Sequence, residues 1–179
     1  MNALSLPQRL ARAVGASPVS EKVAAAQELA YGPIPGWARR SLFHTAVLGH
    51  SAHPPLTDVT LGCWTGASIL DLAGGIQARS GATLLVAAGV LAAGPTSLAG
   101  AGDWAGMTGA ERRIGAVHAL GTDAAIFLFF GSLIARMRGR HALGVGLGLA
   151  GNAVMAGAGF LGGHLALTRG TARRTADAN

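Results

Sequence analysis

Apolar residues along the chain come in four long runs. Residues 56–77 (LTDVTLGCWTGASILDLAGGIQ) form the first and 82–102 (ATLLVAAGVLAAGPTSLAGAG) the second, separated by Ala78-Arg79-Ser80-Gly81. Residues 114–135 (IGAVHALGTDAAIFLFFGSLIA) form the third and 142–167 (ALGVGLGLAGNAVMAGAGFLGGHLAL) the fourth. Each holds about twenty residues, which at 1.5 Å rise per residue crosses a hydrocarbon core of roughly 30 Å. Only helices and closed barrels satisfy their backbone in lipid, and these runs lack the alternation of barrel strands. The pattern therefore predicts an all-α, polytopic integral membrane protein, a bundle of four transmembrane helices. A soluble four-helix bundle would carry charged outer faces at helical period, yet Lys, Arg and Glu are absent from all four runs.

The chain divides into an N-terminal cytoplasmic or interfacial tail with short amphipathic helices (1–53), the membrane domain (54–168) and a basic C-terminal tail (169–179). Ser20-Glu21-Lys22 before VAAAQELA predicts a short capped helix, broken by Gly32-Pro33-Ile34-Pro35-Gly36. Trp37 to His44 mixes aromatic, basic and apolar residues in the manner of a segment at the membrane interface. Pro54 and Pro55 suit the first turn of the helix that follows, where a missing amide proton costs nothing. The first thirty residues hold no continuous apolar stretch, so no secretory signal is expected and the first run serves as the uncleaved insertion signal.

Composition supports the membrane reading. Only 12% of the residues are charged, against roughly 25% in soluble domains, and the mean hydropathy is positive. The formal charge of +6 is then read as contact with anionic headgroups, with no nucleic-acid partner. Arg39, Arg40, Arg112, Arg113, Arg169, Arg173 and Arg174 fall on the side holding both termini; Arg79, Arg136, Arg138 and Arg140 fall on the other. That bias puts both termini in the cytoplasm. The single cysteine, Cys63, offers no disulfide and reads as a packing residue.

Polar groups converge. His50, His53 and Asp58 open the first run, Asp103 and Trp104 close the second, His118 begins the third and His164 ends the fourth. In an alternating topology all lie toward one membrane face. His44 and His141 read as headgroup residents. His118 and His164 lie inside apolar runs, and two imidazoles from different helices can hold a haem iron axially. Glycines beside such a pair would give a flat macrocycle room. An alternative set, His50, His53, Asp58 and Asp103, has the donors for zinc or non-haem iron.

Asp58, expected in the first turn of its helix, fits a capping role as well as ligation. Asp71 and Asp123 are deeper, where a bare charge must pair, protonate or meet water. Thr57, Thr60, Trp64, Ser68 and Asp71 recur at three- and four-residue steps and predict a polar stripe facing other helices, for interhelical hydrogen bonds or a proton path. Gly144 and Gly148, and Gly159 and Gly163, stand four apart on the fourth run; Gly74-Gly75 and Gly131 thin the others, so close helix packing within the bundle or in a dimer is expected.

The motifs LGHSAHPPLTD, GCWTGASILD, GAGDW, RRIGAVH and GFLGGHL together resemble a bacterial family of predicted membrane proteins, domain of unknown function 2231, over residues 47–168. The positions that match are Gly49, His50, His53, Pro54, Asp58, Trp64, Asp71, Asp103, Trp104, His118, Gly162 and Gly163; His164 is not part of the match. The resemblance implies a four-helix membrane domain of the bacterial inner membrane, in a family where some members carry an appended Rieske-type domain. A chain with one cysteine cannot hold such a cluster itself.

Three functions are expected in order. The first is a redox subunit binding haem b through His118 with His164 or with His53, with His50 close by, and exchanging electrons with a larger respiratory complex. The second is a non-catalytic accessory subunit packing through glycine-rich faces against a protein partner or a second copy. The third is a metal-dependent membrane enzyme using His50, His53, Asp58 and Asp103, for which no hydrolase or zincin motif is present.

Overall fold

The computed structural model describes residues 5–44 and 49–173. The last residues of the expected basic tail, 174–179, lie outside them. Helix α1 spans Leu6–Ala16 and opens with a reciprocal cap: Ser5 Oγ accepts from the Gln8 amide while the Gln8 side chain accepts from the Ser5 amide, which satisfies two amide donors that a helix start leaves unbonded. Helix α2 spans Pro18–Tyr31. Its cap is Ser17, whose Oγ accepts from Val19 N at 3.2 Å, and Pro18 takes the first helical position. The helix thus begins ahead of the expected Ser20, which is buried within it. Helix α3 is short, Ile34–Arg39, and a 3-10 turn follows at Leu42–His44.

Helix α4 spans His53–Ala73, with Pro54 and Pro55 in its first turn. It ends four residues before the expected boundary because Gly75 takes a positive φ of 66°, a conformation that side-chain-bearing residues avoid. Gly74 and Gly75 therefore terminate the helix; they do not thin its packing. Helices α5 (Arg79–Ala105), α6 (Gly109–Met137) and α7 (His141–Gly163) extend beyond or close to the other three apolar runs, and α7 continues as a π-helical turn over His164–Thr168.

All regular structure among the described residues is helical. Among the described residues three stretches are long and apolar enough to cross a membrane: Ile76–Ala105, Gly109–Met137 and His141–Thr168. Helix α4 has the length, about 31 Å at 1.5 Å per residue, but His53, Thr57, Asp58, Thr60, Thr65, Ser68 and Asp71 dilute its apolar content, and it is not one of the three. Large apolar side chains such as Leu84, Leu91, Phe127 and Leu167 are exposed on the long helices. Such a surface is compatible with a lipid bilayer.

The helices form two compact units, with α5, α6 and α7 contributing residues to both. The unit made of 53–97 and 121–157 has a core of Trp64, Ala67, Val86, Ala93, Ala125, Phe129 and Met155. Trp64 and Phe129 stack with centroids 4.0 Å apart and planes 6° from parallel. Glycines make that stack fit: a Cβ at Gly89 would lie 2.3 Å from Trp64 Nε1, and one at Gly151 would lie 2.7 Å from Phe129 Cε2. The other unit, 1–52 with 98–120 and 158–179, packs Met107, Ile114, Leu161 and Leu165 with Val14, Trp104 and Val117.

Candidate functional site

The polar stripe of α4 is used inward in part: Thr57 Oγ1 donates to His53 O of its own helix at 2.8 Å, and the buried Trp64 Nε1 has no hydrogen-bond partner among the described residues, whereas Thr60, Ser68 and Asp71 reach other helices. Thr60 Oγ1 lies 3.0 Å from Thr96 Oγ1 on α5. Ser68 Oγ accepts from Asn152 Nδ2 of α7 at 2.7 Å, and the same amide nitrogen reaches Trp64 O. Asp71 ends the stripe on Arg136 of α6 in a two-pronged ion pair, with Nη1 to Oδ1 at 3.0 Å and Nη2 to Oδ2. Both side chains are almost fully buried, at 3% and 1% exposure. Arg136 Nε also donates to Ser132 Oγ, whose proton goes to Gly144 O. His141 completes the cluster 3.5 Å from Asp71 Oδ1. His141 was expected among headgroups; it faces inward because the turn before α7 brings it to the only carboxylate of α4's last turns. The forked guanidinium suits this role, since its parallel N–H groups match a carboxylate in geometry and charge.

A second cluster lies in the other unit. His44 is fully buried, not at the interface as the sequence suggests, because its ring carries hydrogen bonds at both nitrogens. Its Nδ1 lies 3.3 Å from Ala38 O and its Nε2 2.9 Å from Asp103 Oδ1. Ser51 Oγ donates to Asp103 Oδ2 at 3.0 Å. A carbonyl only accepts, so Nδ1 carries a proton, and Nε2 and Asp103 share one more. Ser51 Oγ also lies 3.5 Å from His44 Nε2, so serine, imidazole and carboxylate close a three-way cluster in which the shorter bonds of both the hydroxyl and the ring go to Asp103. Gly102 makes room for the ring: a Cβ there would lie 2.2 Å from His44 Cε1. The cluster fastens the 3-10 turn to the end of α5.

Trp104 is a structural anchor. Its Nε1 donates to Arg112 O at 2.9 Å, Tyr31 meets it edge-on, and the Arg112 guanidinium lies 5.4 Å from its ring centre. Arg112 in turn pairs with Glu21 and Glu28, and Arg113 with Glu21.

His118 Nδ1 lies 2.8 Å from Ala158 O of α7, so that nitrogen donates. Gly162, one turn on, admits the ring; a Cβ there would lie 2.8 Å from His118 Cε1. The room left by Gly162 is thus filled by the imidazole itself, and that left by Gly144 and Gly151 by Arg136 and Phe129, not by space for a macrocycle. His164 is half-buried at the start of the π-helical turn. His50 is exposed, with Nδ1 2.8 Å from Ser51 O. His53 Nδ1 donates to Thr96 O at 2.9 Å. Asp58 is exposed and sits beyond the first turn of α4, since that helix starts at His53, so the expected capping role does not apply. Asp123 is half-buried on α6.

Among the described residues no group of three or more His, Cys, Asp or Glu side chains is arranged to hold a metal ion. His50, His53, Asp58 and Asp103 do not form such a group; Asp103 is engaged by His44 and Ser51. Sequence reasoning singled out Asp71 and Asp103 but missed their partners Arg136, His44 and Ser51. The signal for Arg136 was present: a deep carboxylate requires a counter-charge, and Arg136 is the first arginine after the third apolar run. No family model, no curated protein and no solved structure matches the chain.

Proposed function

We propose that this chain is a four-helix integral protein of the bacterial cytoplasmic membrane, both termini cytoplasmic, acting as a non-catalytic accessory subunit that binds a partner in the bilayer through the outward face of α7. Helix α4 joins the three long apolar helices as the fourth span, a reading supported by its length, by the inward use of its polar stripe and by the family resemblance. The observation that carries the subunit role is the division of α7 into two small-residue faces. Gly144, Gly148 and Gly151 meet the protein's own Arg136, Ser132 and Phe129. Ala142, Gly146, Ala150, Ala153 and Gly157 recur at helical spacing and are exposed, with nothing within 4 Å of a Cβ placed at Gly146 or Gly157. In lipid, small residues favour helix association because they let backbones approach closely.

Gentle purification from a native host tests this. Defined partners, or a second copy, should co-purify with the parent chain and be lost in Gly146→Leu and Gly157→Leu, positions where an added Cβ meets no atom within 4 Å. A monomer without partners in the parent refutes the reading.

A redox subunit binding haem b through His118 and His164 is a second reading. Its support is the His118 Nδ1 donation to a carbonyl, the arrangement that orients many metal-bound imidazoles. Oxidised and dithionite-reduced optical spectra decide it: a sharpened reduced band that His118→Ala abolishes supports haem, and a featureless spectrum of natively expressed protein removes it.

A further inference from the structure

We propose that α1 is a membrane-surface helix that seats its outward face in the headgroup boundary of an anionic bilayer. The inference rests on α6 entering that bilayer. Inward, Ala11 is fully buried, and a Cβ at Gly15 would lie 3.2 Å from both Ala110 Cβ and Ile114 Cδ1. Arg113 Nε donates to Gly15 O. These contacts hold α1 against the first turns of α6, where the apolar stretch Gly109–Met137 begins.

Outward, Leu6 and Leu10 are exposed by 60% and 53%, and with exposed Ala13 they fall within an arc of about 60° at 100° per residue. Arg9 flanks this face and Arg12 lies further round, both exposed. Helix α1 has no acidic residue. The acidic side chains of neighbouring α2, Glu21 and Glu28, are taken by Arg112 and Arg113, and no ion pair among the described residues includes Arg9 or Arg12. An apolar strip edged by uncompensated arginines at the mouth of a membrane-crossing stretch matches the boundary of anionic lipid, where acyl chains take the leucines and phosphates the guanidinium groups.

The test uses the full chain with Cys63→Ala and Ala13→Cys carrying a nitroxide, in nanodiscs of phosphatidylcholine alone or with phosphatidylglycerol. Retention of the chain in the discs after alkaline washing reports separately on the membrane reading. In the anionic discs oxygen should reach the label and a water-soluble nickel complex should not. Arg9→Gln and Arg12→Gln should each lower the docked-to-undocked ratio about fivefold, the effect of one basic residue at an anionic surface. Nickel reaching the label equally in both lipids overturns the proposal. Docking that ignores lipid charge overturns it as well. A label shielded from both reagents in both lipids means that protein covers this face, and overturns it in favour of a polypeptide partner.

Discussion

Breaking the Asp71–Arg136 pair is the sharpest perturbation the structure offers. Arg136→Leu removes two hydrogen bonds to Asp71 and one to Ser132 and leaves a carboxylate at 3% exposure with His141 3.5 Å away. Removing one partner of a buried pair costs about 3–5 kcal/mol, because the other charge stays desolvated. His141 offsets part of that, so Arg136→Leu should fall near the low end, about 3 kcal/mol. Asp71→Leu leaves the guanidinium, at 1% exposure, with its bond to Ser132 and no carboxylate in the cluster, and should fall nearer about 5 kcal/mol. The double variant Asp71→Leu/Arg136→Leu removes both charges and should lie within about 2 kcal/mol of the parent. Reversible unfolding in mixed micelles, read by the fluorescence of the stacked Trp64, measures all four corners of the cycle. The coupling is then about 6 kcal/mol, which at about 1.4 kcal/mol per decade is more than roughly ten-thousandfold in the unfolding constant. Single variants that each cost under about 1 kcal/mol and add in the double would show a solvated pair and refute this account of how α4 is held.

Other outcomes follow from the packing. Gly89→Ala pushes a methyl into the Trp64 indole and should cost about 1–3 kcal/mol, whereas Gly94→Ala, with nothing within 4 Å, should be close to neutral in the same unfolding assay. Asp103→Ala removes the buried carboxylate that His44 and Ser51 share; a loss of about 2 kcal/mol, with faster hydrogen exchange at residues 42–44, is expected. Glu21→Gln touches a carboxylate that is about half exposed (52%) and should change stability by less than about 1 kcal/mol.

How much of this could be read without coordinates depends on the kind of signal. Hydrophobic run length is local, so the helices were legible, and so was the inward stripe of Thr60, Trp64, Ser68 and Asp71, whose three- and four-residue spacing fixes one face of a helix. Boundaries were legible only where a residue type enforces them, as Pro54-Pro55 do at the start of α4. Its end at Ala73 was missed because the run continues apolar through Ile76 while the backbone turns at Gly74 and Gly75. His44 was misread for a similar reason: its surroundings in sequence are interfacial, but its partners Asp103 and Ser51 come from elsewhere in the chain.

The sequence by itself determined that the described residues are helical and that long apolar helices follow one another, expecting four spans where three meet the length and apolarity of a membrane crossing, and it marked a set of polar groups that had to find partners, since each of these follows from composition and period along one segment. Only the tertiary structure decided which partners they found. Asp71 meets Arg136, Asp103 meets His44, and Gly162 takes the ring of His118, because pairing between segments tens of residues apart depends on helix rotation and close approach. Those are properties of packed helices and not of any one run of residues.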